Sequence, residues 1–176
     1  MPLQVAQLTD LILQVTDKTR SDFVGFPVVR TLTAPFYDAA ATNNLVAKNW
    51  GNAVLQYFAT ITVPVLTPTI FPIAQAAFEP AMAFILGAEA LAMKAFGAGL
   101  DAFVAVMVTG LAVPGVATPP PPGTFTFSPA ITQGQTPEQV TQTSAANLAL
   151  AIHNWATNPA TGGKFTPPGG ASISWT

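Results

Sequence analysis

His153 is the only histidine in this chain, and cysteine is absent. Zinc is held by thiolates, imidazoles and carboxylates in sets of three or four. After Asp101 the only acid is Glu138, so His153 lacks companions and IHNW reads as a surface or interface histidine. A serine triad needs a histidine beside an acid and an activated serine. Neither Ser128 nor Ser144 sits in a nucleophile-elbow context. Glu79 and Glu89 remain as candidate paired carboxylates. On a straight helix their spacing separates them by about 15 Å, beyond the roughly 5–9.5 Å used in glycoside hydrolysis. Glu89 and Lys94 are five positions apart, a poor spacing for an ion pair on one helix. Gly97 and Gly99 form GAG with no phosphate-loop lysine after it, so they read as a helix break or a point of close packing. Trp50, Trp155 and Trp175 have no basic companions for stacking on bases, and read as core or interface anchors. The residues thus assign no catalytic, metal-binding or cofactor-binding group, and the expectation is a protein that is not an enzyme and carries no cofactor.

The element around which these residues are arranged is the run from Phe71 to Ala117, whose only charges are Glu79, Glu89, Lys94 and Asp101. Its Ala, Leu, Met, Glu and Lys content favours helix most strongly over Ala81–Phe96. Gly97 and Gly99 are expected to interrupt that helix, with a second apolar run from Leu100 to Val113 stopped by Pro114-Gly115. Small residues (Ala81, Ala83, Gly87, Ala88, Ala90, Ala92 and Ala95) allow close approach of a neighbouring helix. A helix apolar nearly all round must be buried in protein or in lipid. A spanning helix needs about 20 mostly apolar residues. Met82–Met93 holds twelve with Glu89 among them, Ala102–Val113 also holds twelve, and no basic flank orients either. Burial in protein is favoured over a membrane; the alternative is a membrane-embedded or membrane-active protein with a helical hairpin at 71–113.

Composition points the same way. Only 8% of the 176 residues are charged, against about a quarter in typical soluble domains. A folded monomer of 18.2 kDa exposes roughly 8,100 Å², or about one charge per 580 Å². So sparse a surface implies that other chains or lipid cover part of it. The net charge of −2 and the scatter of the basic residues exclude nucleic acid as the main partner. The first residues, MPLQVAQLTDLILQVTDKTR, lack a basic n-region and a small-residue cleavage site, so export by a signal peptide is not expected.

Elsewhere, Val5, Leu8, Leu11, Ile12 and Val15 fall at helical spacing, and the charged DKTRSD after them reads as a solvated helix end or turn. A short irregular or extended piece, Phe23–Leu32, leads to a helix over about Tyr37–Tyr57, with Leu45, Trp50, Val54, Leu55 and Phe58 as its apolar face. Prolines at 64, 68 and 72 predict extended chain over Thr60–Pro72. Glu79-Pro80 marks a kink or a fresh start, and ATPPPPG is a stiff connector. Phe125 and Phe127 alternate with threonine, a brief strand-like signal. Thr136-Pro137-Glu138-Gln139 is a capping box with proline at the first helical position, opening a helix to about Trp155 with Val140, Leu148, Ile152 and Trp155 on one face. Asn158-Pro159 and Gly162-Gly163 close it, and the tail is extended, Ile173 and Trp175 on one side and Ser172 and Ser174 on the other. A weak echo between AAATNNLVAKNWGNAVLQYFAT and TSAANLALAIHNWATNPATGG reads as the product of helical spacing, which alone generates such echoes, with an internal duplication as the alternative.

From Thr143 to Trp155 (TSAANLALAIHNW), then TGG at Thr161–Gly163 and PPGG at Pro167–Gly170, the chain resembles small accessory virion proteins of tailed bacteriophages. Those proteins join an Ala-rich helix, a Pro-rich connector ending in Pro-Gly, a helix closing on an aromatic residue, and a Gly-rich tail. Gly110–Gly123 fills the connector's place, and the resemblance covers about the C-terminal half. It implies a non-enzymatic virion part of tail or baseplate, less so of capsid, made in the host cytoplasm and partnered by its own copies and other virion structural proteins. The expected fold is mainly α: an Ala-rich helical bundle with extended Pro-rich arms and a short β-like C-terminal tail. It divides into a helical region (1–117), a Pro-rich connector (118–135) and a capped helix with its tail (136–176), together one structural unit. The arms Thr60–Pro72, Ala117–Pro129 and Lys164–Thr176 are expected to reach across subunits. Candidate interface residues are Trp50, Phe78, Phe84, Phe96, Phe103, Phe125, Phe127, Trp155, Ile173 and Trp175.

Overall fold

The structure, a computed structural model, describes residues 3–24, 39–82, 89–127 and 134–176. Phe84, and the 83–88 part of the expected central helix, lie outside them. The fold is mainly α. The helices are α1 (Val5–Val24), α2 (Ala39–Phe58), α3 (Ile70–Ala81), α4 (Glu89–Met107) and α5 (Pro137–Thr157). The strands are β1 (Val116–Thr118), β2 (Lys164–Thr166) and β3 (Ile173–Ser174). α1 packs on α2 and α5, α2 on α3, and α3 most extensively on α4.

The helical stripe read from α1 is buried at Leu8, Leu11, Ile12 and Val15, but the helix continues through the charged DKTRSD stretch to Val24. In α2 the buried set is Val46, Ala47, Ala53, Val54, Tyr57 and Phe58, while Leu45, Trp50 and Leu55 are half-buried. The expected face was too narrow because α2 is covered by α1 on one side and α3 on another, so its small residues are enclosed too.

The central run is divided differently from the expectation. α3 begins at Ile70, inside the supposed extended arm, with Pro72 in its first turn, where a missing N–H costs no intrahelical bond. Pro80 sits at the other end, one residue before α3 stops, and the chain leaves the helix at Met82, within the expected Ala81–Phe96 helix. Gly97 and Gly99 do not interrupt α4, which runs on to Met107 and a short 3-10 turn at Val108–Gly110. Their role is close approach: a Cβ on Gly99 would stand 2.9 Å from the Phe78 ring and 3.3 Å from Met82 Cγ.

The Pro-rich arms turn inward. Leu66 bridges Leu111; the Thr67 N–H donates to the Gly110 carbonyl (2.8 Å), and the Ala112 N–H to Val65 (3.0 Å). β1, β2 and β3 form one antiparallel sheet in that order, pairing Ala117 with Phe165 and Phe165 with Ile173. Segments expected to extend to other subunits therefore pair with one another, satisfying their backbone groups inside one chain. The Phe125–Phe127 piece is no strand: it is held by side chains, Phe125 buried and Phe127 half-buried. The capping box forms in full, the Thr136 Oγ1 accepting from the Gln139 N–H (3.3 Å) and the Thr136 N–H donating to Gln139 Oε1 (2.9 Å). At the far end Asn158 Oδ1 accepts from the Ala160 N–H (2.7 Å) and the Thr161 N–H (3.2 Å), turning the chain into β2.

The two glycines of α4 give a paired test. At Gly97 an added Cβ meets Phe125 at 3.5 Å, an ordinary contact. Gly97→Ala should therefore stabilise by up to about 1 kcal/mol through helix propensity. Gly99→Ala should destabilise by about 1–3 kcal/mol, because the Phe78 ring is fully buried and has nowhere to move. Urea midpoints that move the same way for both variants would contradict this account of the helix contact.

Candidate functional site

Tyr57, in the last turn of α2, is fully buried, and its hydroxyl lies 2.8 Å from His153 Nδ1 on α5. A neutral imidazole protonated at Nε2 accepts the tyrosine proton at Nδ1. Burial pushes the His153 pKa below its ordinary value, favouring that neutral form, and drives the Tyr57 phenol far above its own. Thr60 Oγ1–H donates to the Tyr57 carbonyl (2.7 Å) and Thr157 Oγ1–H to the His153 carbonyl (2.8 Å), fixing both backbones. His153 is half-buried. The single histidine thus joins two helices, with one ring nitrogen already committed.

Asp101 on α4 holds the connector. Its Oδ2 accepts from the Gly123 N–H at 2.7 Å, while Oδ1 is buried with no hydrogen-bond partner among the described residues. Burial raises its pKa, against a smaller lowering from the Gly123 bond. One residue on, Thr124 Oγ1–H donates to the Pro121 carbonyl (2.6 Å) and accepts from Trp155 Nε1–H (3.2 Å). The connector is thereby tied between α4 and α5. Glu79 is spent locally, its Oε1 accepting from Gln75 Nε2 (2.9 Å), which also donates to Asn52 Oδ1 (3.1 Å). Among the described residues no group of three or more His, Asp or Glu side chains is placed to hold a metal ion.

Most of the candidate interface residues are engaged within the chain. Phe78, Phe96, Phe103, Phe125, Trp155 and Trp175 belong to the buried core, with Trp50 and Phe127 packed against it. Ile173 is the exception, half of it open to solvent on the edge strand β3. The Ser172/Ser174 side of the tail is as read: Ser172 Oγ meets Thr166 Oγ1 (2.7 Å), and Lys164 Nζ donates to Ser174 Oγ (3.2 Å). On the other side burial separates Ile173 from Trp175, whose ring alone packs against Gly163 and Phe58.

The surface opening that sequence reasoning missed lies between α2, the 61–68 segment and the start of α3. It is a cleft of about 300 Å³ lined by Leu55, Ala59, Ile61, Leu66, Pro68, Phe71 and Pro72, without a charged group. Val65 and Ile73, next to lining residues in the chain, are 49% and 58% exposed. A cleft of about 160 Å³ between α1 and α2 is lined by Gln14, Asn49, Asn52 and Gln56 over Leu11, Val15 and Ala53. The first can take aliphatic side chains; the second offers neutral amides. Neither collects groups that could activate a nucleophile. No protein-family model, curated protein or solved structure matches the chain.

The two titrating groups have opposite consequences for stability. His153 has a lowered folded-state pKa, so its contribution is present above the unfolded value of about 6.5 and is lost as pH falls through the folded value. Urea midpoints should decline on acidification from about pH 7.5, and His153→Gln, which keeps an acceptor for Tyr57, should flatten that decline. An identical slope in the variant would exclude the Tyr57–His153 bond as its source. Asp101 has a raised folded-state pKa, so its contribution is present below the unfolded value and lost as pH rises through the folded one. Asp101→Asn retains an acceptor for Gly123 and removes the charge. It should raise the urea midpoint at about pH 7 and lose that advantage below about pH 4.

Proposed function

We propose that this chain is a non-enzymatic structural subunit of a large symmetric assembly, within that class a bacteriophage virion part of tail or baseplate. The observation that carries the reading is the charge-free apolar cleft lined by Leu55, Ile61, Leu66 and Phe71, together with the exposure of Val65 and Ile73 in the same stretch of chain. An apolar opening and large exposed apolar side chains mark a protein contact. A chain with only 8% charged residues has little else to keep such a surface apart from its copies. The non-enzymatic part rests on the residues: His153 is bound to Tyr57, Glu79 to Gln75, and Asp101 to the connector. The virion part rests on the resemblance of the C-terminal half.

A second reading, a membrane-embedded hairpin at 71–113, has one observation in its favour. Met93–Gly110 is long and apolar enough to cross a membrane, with mean hydropathy 1.3. Against it, 44% of that window is buried inside the fold. Its partner α3 has 12 residues, about 18 Å of helix, well short of the roughly 30 Å hydrocarbon layer.

Sedimentation velocity on chain purified without detergent tests both. The expected outcome is a defined soluble oligomer, which Val65→Lys with Ile73→Lys reduces to smaller species. Full solubility as a monomer at high concentration overturns the assembly reading; recovery only with membranes favours the hairpin.

A further inference from the structure

The residues after β2 are attached to the fold in two unequal ways. Their end is deeply engaged. Trp175 is buried, its backbone N–H donates to the Gly163 carbonyl (3.1 Å), its indole Nε1–H donates to the Lys164 carbonyl (3.1 Å), and its ring stands edge-on to Phe58. Beyond it the Thr62 N–H donates to the Thr176 oxygen (2.7 Å) and the Thr176 N–H to the Val63 carbonyl (3.2 Å). Gly163 is shaped for this guest, since a Cβ there would run into the Trp175 ring. The link that carries the end is different. It is exposed from Pro168 to Ser172, its backbone bond from Gly170 to Pro167 (3.1 Å) lies within itself, and a Cβ on Gly169 would meet nothing within 4 Å.

The chemistry of the link suits an open form as well as the closed one. Thr166 and Pro167 each precede a proline, which biases them toward extended backbone. The closed turn instead needs Gly169 at φ +68°, in the left-handed region. Opening the turn costs the fold none of the end's contacts if the end is seated elsewhere. Phe58, Thr62, Val63, Gly163 and Lys164 are presented identically by a second copy, which is the condition for exchange of an element between protomers. We infer that copies of this chain exchange the segment Ile173–Thr176, the Trp175 of one entering the Gly163 notch of the next. The inference rests on the assembly proposed above. Fully extended, the link Pro167–Ser172 spans about 20 Å, so the exchanging copies are immediate neighbours.

Because the chain has no cysteine, introduced pairs report the partner directly. Thr62→Cys with Thr176→Cys joins positions whose hydroxyls lie 3.1 Å apart. Lys164→Cys with Ser174→Cys joins a cross-strand pair. Each variant is sedimented, oxidised in the assembled state, and run on a non-reducing denaturing gel. Exchange predicts that most of the linked protein runs as dimers and longer covalent chains. Adding Gly169→Val, which disfavours the left-handed turn, should raise that interchain share by about two-fold or more. Assembled particles that yield only internally linked monomer with both pairs overturn exchange and leave the assembly standing. Failure of both pairs to link in either way also overturns it, since the segment is then not seated at this site. A sample that sediments as monomer removes the assembly and, with it, the exchange.

Discussion

The ring of Phe96 touches three others: Trp50 at 5.2 Å, Phe125 at 5.7 Å and Phe78 at 5.9 Å between centroids. One side chain of α4 is therefore packed against α2, the connector and α3 together. Phe125 passes the contact on to Trp155 of α5 at 6.0 Å. Rings that meet edge-on or tilted gain from their quadrupoles beyond simple area burial, and their bulk fixes how far apart the helices stand. Glycine supplies the counterpart. Gly99 lets Phe78 lie against the backbone of α4, and Gly110 does the same for Ile70. Bulky side chains placed against missing ones set the separation of α3 from α4 and the turn that follows it.

The same logic governs the proline-rich segments. Proline removes donors and resists regular ladders, so these segments cannot build a broad sheet. They can still pair over two or three residues at a time, and they do so with each other: 65–67 with 110–112, 62–63 with Thr176, and β1 with β2 and β3. Part of their polar backbone is paired in this way while their apolar side chains remain partly outside, as at Val65, Val116 and Ile173.

Charge is used sparingly and structurally. Tyr57 and His153 hold α2 to α5 with a neutral hydrogen bond in a place where an imidazolium is disfavoured. Asp101 anchors the connector through Gly123, while its other oxygen is buried with no partner among the described residues. That arrangement holds the Pro-rich segment in place at some cost from desolvating a carboxylate.

Local rules determined a good part of this molecule from sequence alone. The capping box at Thr136, the stripe Leu8–Leu11–Ile12–Val15, the extent of α2 and the mainly helical class follow from spacing and cap chemistry, which act within a few residues. Where the central run divides did not follow. Pro72 and Pro80 look like breakers in sequence, yet each is tolerated at a helix end, and Gly97 and Gly99 look like a break until a ring is seen lying against Gly99. Propensity measures the cost of a residue in a helix; only tertiary contact shows what that cost is set against. The site residues divide the same way. His153 receives from the motif IHNW by itself only a surface or interface reading. Its bond to Tyr57, 96 positions away, and the meeting of Leu55, Leu66 and Phe71 around one cleft were decided by how α2, α3 and α5 pack, because nothing in a linear chain records which distant faces come into contact.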